Sequence, residues 1–406
     1  MAQISRTPIE SNRQGFPRTL LDQPASVRCD YFKNYTVAHP ALSAADKAVW
    51  NALREPAGAS LIFVFGPTGV GKTTLLSHIE KRLVEQALPR LEQDHCHIPV
   101  IRLDAVAPAA QQFRWVDYYQ RALMTLREPL INDKIDYHMR QPIFSEKRNM
   151  FVSPRTRSRA NVDELRLAFE LALKQRQLAA VLIDEAEHMA KMTRGSKLLD
   201  QLDHLKSLAI MSQTVHVLVG TYDLMVFRNL SAQLSRRSID VHFPRYRAES
   251  KDELKAFRNV LWTFQRHLPL EEEPDLINHW KYCYEHTIGC IGTLKDWLTR
   301  ALAETLEAGE KTITSSLLEH HAWSIEQCDQ MTTEAMEGEA KLVADADAAY
   351  RLRLRLGLES PRGGKAKQGL QKNNEAQATE TASPRRSSRV GQRKPHRDPV
   401  KGEQAE

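Results

Sequence analysis

Long apolar runs are missing from this chain of 406 residues. None approaches the ~18 residues that a membrane span needs, and the longest clean run, Leu61–Phe65, has the length of a strand. The first residues, MAQISRTPIESNRQGF, have no apolar signal core. Cysteine is also scarce. The five residues, at 29, 96, 283, 290 and 328, show no paired spacing, so a disulfide framework is not expected and reduced thiols are. These absences lead us to expect a cytoplasmic protein, neither helically membrane-spanning nor secreted. Hydrophobic residues make up 42% of the chain, enough for a sizeable core.

Strong charge of either sign is lacking over most of the chain. The net charge is +6, and residues 357–406 hold eleven Lys or Arg against six Asp or Glu. The excess therefore sits in the tail, and any basic nucleic-acid surface elsewhere must be local. That tail is rich in Gly, Pro, Ser and basic residues and reads as disordered.

Short apolar strands alternate with amphipathic helices. Strands are expected at 61–65, 99–103, 179–183, 216–219 and 239–243. Such alternation implies a parallel sheet covered on both faces. A helix is expected to start at Ser43, as a capping-box variant with Asp46, with Val49, Trp50 and Leu53 on one face. Residues 113–131 read as a helix. Residues 132–160 carry Lys134, Arg140, Lys147, Arg148, Arg155, Arg157 and Arg159 with poor periodicity, and read as a long basic loop. An N-cap box is expected at Asn161 with Glu164. From about 250 the character is helical throughout, at 251–267, 274–286, 292–307, 314–328 and 332–356.

Residues 66–73, Gly-Pro-Thr-Gly-Val-Gly-Lys-Thr, match the G-x-x-x-x-G-K-[ST] phosphate loop between a strand and a helix. Gly66, Pro67, Thr68, Gly69, Val70, Gly71, Lys72, Thr73 and Thr74 are the candidate nucleotide contacts. Backbone N–H groups turn toward the phosphates, and the following helix presents its N-terminus to the anion. Lys72 can reach the β- and γ-phosphates. Thr73 can ligate Mg²⁺, as can Asp184 at the end of the Val-Leu-Ile-Asp-Glu strand. Glu185 can activate the attacking water, and Thr221 can sense the γ-phosphate. Arg236 and Arg237 are candidates to complete a neighbouring subunit's site, with Arg245 a weaker third. Lys295 stands at a position like that of a second sensor. The cofactors expected are ATP and Mg²⁺.

Two weaker patterns remain. His279, Cys283, His286 and Cys290 share a face on an unbroken helix, so a metal can be weighed there, but Gly289 favours ordinary packing. Arg114, with Lys134, Lys147 and Arg148, could contact DNA phosphates.

The phosphate loop, the Leu-Ile-Asp-Glu-Ala strand end, Gly-Thr-Tyr-Asp-Leu, Leu-Ser-Arg-Arg-Ser-Ile-Asp-Val-His-Phe-Pro-Arg-Tyr and Ile-Gly-Cys-Ile-Gly-Thr-Leu-Lys-Asp-Trp-Leu together resemble the TnsC/TniB family of AAA+ transposition regulators, including those of CRISPR-associated transposons. The resemblance covers roughly residues 28–310. It implies an α/β AAA+ P-loop NTPase, with a parallel five-stranded sheet flanked by helices, a small all-α lid and a disordered basic tail. The implied layout is an N-terminal arm at 1–27, an α/β subdomain at 28–249, a lid at 250–330, a C-terminal helix at 331–356 and the tail at 357–406. It further implies a DNA-associated bacterial ATPase. Such a protein forms a homo-oligomer on double-stranded DNA, as a hexameric or heptameric ring or a helical filament. It bridges a target-selection protein (TniQ/TnsD-like) to transposase subunits (TnsA/TnsB-like). Arg28, Tyr31 and Phe32 would pack on the adenine. Two alternatives remain open: a replication initiator or helicase-loader-like ATPase, and a scaffold that binds ATP without hydrolysing it.

Overall fold

A computed structural model describes residues 15–107, 113–131, 143–145, 150–152, 161–190, 196–228, 236–342 and 346–358. Five parallel strands form the central sheet: β1 (Leu61–Phe65), β2 (Val100–Asp104), β5 (Ala180–Asp184), β6 (Val215–Gly220) and β7 (Ser238–His242). Their spatial order is β2-β5-β6-β1-β7. Each strand lies within one residue of its expected position. All five side chains of β1 are buried. Leu61, Phe63 and Phe65 enter one core and Ile62 and Val64 the other, the period of two that a sheet covered on both faces requires. Each such side chain contributes about 1.5–3 kcal/mol on burial, so this strand anchors the loop that follows it.

On the face of Leu61, Phe63 and Phe65 lie helices α4 (Trp115–Thr125), α5 (Val162–Arg176) and α6 (Ser196–Ser212). Asn161 caps α5 through a full capping box: its side chain accepts from Glu164 N at 2.8 Å, and the Glu164 carboxylate accepts from Asn161 N at 2.9 Å. On the opposite face lie α2 (Pro40–Arg54) and α3 (Lys72–Leu91). Helix α2 starts three residues before the expected Ser43. Its cap is His39, whose Nδ1 accepts from Leu42 N at 3.3 Å, and Pro40 supplies the favourable first helical position.

Within residues 132–160 the structure describes only a short antiparallel pair, β3 (Ile143–Ser145) and β4 (Met150–Val152). Three-residue strands leave too little pattern to be read from sequence.

A second core gathers helices α1 (Ala25–Asn34), α7 (Lys251–His267), α8 (Trp280–Glu285), α9 (Ile291–Glu307) and α10 (Ser315–His321). Phe257, Val260, Leu261 and Phe264 form the buried i, i+3, i+4, i+7 stripe of α7. The expected helix at 274–286 is confined to α8, because residues 276–279 form a turn and 274–275 are irregular. The expected 314–328 helix is broken at residues 322–324 into α10 and α11 (Ile325–Leu342). Helix α12 (Ala346–Arg355) belongs to a second unit of the chain. Among the described residues no helix is long and apolar enough to cross a membrane.

Candidate nucleotide site

The loop 66–71 leaves the carboxyl end of β1 between its neighbours β6 and β7, and α3 begins at Lys72. Ligands of open α/β sheets bind at this edge. Gly69 and Gly71 have φ of +75° and +110°, left-handed values that disfavour any side chain. A Cβ on Gly69 would also lie 2.0 Å from the Thr293 hydroxyl oxygen. The amino end of α9 packs that close to the loop, and Thr293 N donates to Gly69 O at 3.0 Å.

A cavity of about 840 Å³ opens here, lined by the loop together with Asp184, Glu185, Glu187, Thr221 and Lys295. The Lys72 ammonium donates to Gly66 O at 3.0 Å and Pro67 O at 2.9 Å. Burial pushes its pKa down. The acidic side chains around it oppose that shift, Glu187 most strongly and Asp184 and Glu185 less. The Thr73 hydroxyl donates to Asp184 Oδ2 at 3.2 Å. A hydroxyl and a carboxylate this close are hard oxygen donors that fit Mg²⁺ bound along with phosphates. Bound there, Mg²⁺ would neutralise charge on the phosphate oxygens, and Thr73 and Asp184 would hold it.

Three residues that the sequence did not single out belong to this site. Arg102, on β2, pairs with Asp184 Oδ2 at 2.8 Å and reaches Ser77 Oγ at 3.1 Å. It fixes the orientation of the aspartate from the neighbouring strand. A charged residue within the mostly apolar run Val100–Leu103 was its only signal. His188 Nδ1 lies 3.5 Å from Glu185 Oε2 and 2.8 Å from Ala105 O. Glu185 itself takes φ +51° with its side chain 64% exposed. Glu187 is buried.

Thr221 follows β6 and faces the cavity. The Lys295 ammonium is turned to α1, donating to Lys33 O at 2.8 Å and Tyr35 O at 2.6 Å. It caps the carbonyl end of that helix. Arg245 is clamped by Glu339 of α11 at 2.9 Å and donates to Ile288 O at 3.3 Å. Arg236 and Arg237 are exposed just before β7. Ser238 pairs with Leu61, so these arginines lie at the amino end of the sheet, opposite the phosphate loop. Arg114 is exposed at the start of α4 and lines a separate cavity of about 170 Å³. Lys134, Lys147 and Arg148 lie outside the described residues.

Arg28, Tyr31 and Phe32 do not meet the phosphate loop. Arg28 donates to Pro269 O, Tyr31 OH pairs with His267 Nδ1 at 2.8 Å, and Phe32 packs on Phe264. The residues beside the loop at that end are Val37, His39 and Leu42. The four spaced His and Cys residues do not converge either. Helix α8 ends at Glu285, Cys290 caps α9, and His286 Nδ1 bonds to Trp323 O at 2.7 Å. Burial pushes the thiols of Cys283 and Cys290 up to about 12.

Residues 54–227 match the AAA domain family. This segment is an AAA-type P-loop ATPase domain. It takes in the phosphate loop, Asp184, Glu185, Glu187 and Thr221. No curated protein matches the chain. Among solved structures, the ORC2 protein of Aeropyrum pernix aligns at 16% identity over 72% of this chain and 70% of that one, with a TM-score of 0.45. Drosophila ORC bound to DNA aligns at 13% identity over 90% and 85%, with a TM-score of 0.42. A Walker-type ATPase of Pyrococcus abyssi aligns at 16% over 77% and 75%, with a TM-score of 0.40. Likenesses of this size bear no functional weight.

Proposed function

We propose that this protein is an ATP-dependent regulator of DNA transposition. It assembles as a homo-oligomer on double-stranded DNA, bridges a target-selection protein to transposase subunits, and uses ATP hydrolysis to control that assembly. The observation that carries the assembly part is the placement of charge on one chain. Lys72, Thr73 and Asp184 meet at the phosphate loop, whereas Arg236 and Arg237 stand exposed at the far end of the sheet. A guanidinium from a second copy would supply the positive charge that phosphoryl transfer develops a need for. The transposition part rests on the sequence resemblance across residues 28–310. In this reading residues 28–249 act as the α/β subdomain and 250–330 as a lid. The basic tail docks transposase subunits, and Arg114 with the basic residues 134, 147 and 148 meets DNA phosphates.

The test is imaging with duplex DNA and a slowly hydrolysed ATP analogue. The wild type is expected to form rings or filaments, and Lys72→Ala to form none. Normal assembly by Lys72→Ala would sink the mechanism. A copurifying helicase, with DNA integration unaffected by loss of the protein, would instead favour a replication-type loader.

A further inference from the structure

Glu187 is as deeply buried in the nucleotide site as Asp184, and none of the roles above uses it. It sits in the short 3₁₀ turn Ala186–Met189 that follows β5. The residue is 6% exposed, and its Oε2 has no hydrogen-bond partner. That oxygen lies over the carboxyl end of β6, where a Cβ on Gly220 would approach it to 2.2 Å. Only glycine leaves it room. Glu187 also lines both the 840 Å³ cavity of the phosphate loop and an adjoining cavity of about 480 Å³, and Thr68 and Thr221 line the same two.

An unpartnered buried carboxylate oxygen is costly, and proteins keep such groups where a ligand or a reaction satisfies them. The group that fits is a small neutral donor lying between the loop and Thr221. A phosphate oxygen is excluded by like charge. Glu185, the carboxylate expected to activate water, is mostly exposed and lies near His188.

We propose that Glu187 accepts a hydrogen bond from the water that attacks the γ-phosphorus of ATP, making it a catalytic carboxylate of this site. The inference rests on the ATPase reading above. In the step, the water oxygen bonds to the γ-phosphorus while the bond from that phosphorus to the bridging oxygen breaks. The electron pair of the broken bond leaves on ADP. One proton of the water stays on the released phosphate, and the other passes through the Glu187 carboxylate to solvent.

The test compares Glu187→Gln, Glu185→Gln and the wild type, all full-length and on duplex DNA. The readouts are phosphate release, binding of a fluorescent ADP and thermal melting. Glu187→Gln is expected to lower kcat at least thirtyfold, with KM and the Kd for ADP within threefold and melting not lowered. That split marks an interaction made only in the transition state. Should Glu187→Gln fail to fold, Glu187→Asp keeps the charge and shortens its reach, and the same loss of kcat is expected from it. An unchanged kcat in the folded variant overturns the proposal, and so does a parallel fall in kcat, ADP binding and melting. A wild type that binds ATP but releases no phosphate removes the ATPase reading and this one with it. An active wild type beside an active Glu187→Gln removes this one alone.

Discussion

The two ends of the central sheet carry their charges in opposite ways. At the carboxyl end Lys72 and Asp184 are held by the chain itself. Lys72 is fixed to two loop carbonyls, and Asp184 is shared by Thr73 and Arg102. At the amino end Arg236 and Arg237 are exposed beside a backbone that is itself well anchored, since Ser60 N and Leu61 N both donate to Arg237 O. A site built from internal pairs is set up by folding, with its geometry fixed before a ligand arrives. Exposed guanidinium groups on a firm backbone are set up to be read by something outside the chain. The contrast separates the part of the ATPase that one chain holds from the part that we propose a second copy adds.

The largest effect expected beyond Lys72→Ala comes from the amino end. Replacing Arg236 and Arg237 together with Ala should lower DNA-stimulated phosphate release by roughly 10³-fold or more, in the range of a trans-acting arginine. Melting should shift by no more than about 0.5 kcal/mol in stability, as for exposed positions. Nucleotide binding by the isolated chain, measured by fluorescence titration, should be unchanged. A loss of binding would break the contrast.

Acid provides the next test, because each end of the sheet buries a histidine. His39 stands beside the phosphate loop and bonds to Tyr246 OH at 2.9 Å. His216 is paired with Leu61 at the amino end. Burial lowers the pKa of each to about 4. The unfolded chain, with histidines near 6.5, then binds more protons between about pH 6.5 and 4. Stability from these groups is therefore full above about pH 6.5 and is lost as pH falls toward 4. The loss is up to about 3 kcal/mol for each residue. Denaturant melts across this range should show the slope, and His39→Gln should reduce it. A flat profile would mean that neither ring is held neutral by burial.

The smallest effect belongs to a helix cap that does not line the nucleotide cavity. Asn161→Ala removes the capping box of α5 and should cost about 1 kcal/mol, with phosphate release unchanged once the loss of folded protein is allowed for. It serves as a control for damage that is only structural.

The comparison also shows where sequence reasoning reaches and where it stops. The five strands could be read because each is a short apolar run buried on both faces, and the phosphate loop because its residue types are dictated locally. Asn161 and Glu164 were legible for the same reason, three residues apart with a fixed partner set. Arg102 was not, because its partner lies on another strand and depends on which strands are neighbours. Glu187 was hidden by the adjacent Glu185: sequence does not say which of two acidic residues a turn buries. The His39 cap escaped notice because histidine is an unusual cap, and the break after α10 because the helical pattern of residues 314–328 runs across it. Arg28, Tyr31 and Phe32 stand on α1, which turns Phe32 into the helical core, a packing partner that depends on a distant helix and is not written locally.

Steady-state phosphate release per chain, measured on duplex DNA over a range of protein concentrations, tests the central claim most directly. If a second copy completes the site, the rate per chain rises with concentration and then saturates, and the Arg236→Ala/Arg237→Ala variant stays near its low-concentration rate throughout. A rate per chain that is substantial and constant with concentration, in the wild type and the variant alike, would contradict the account.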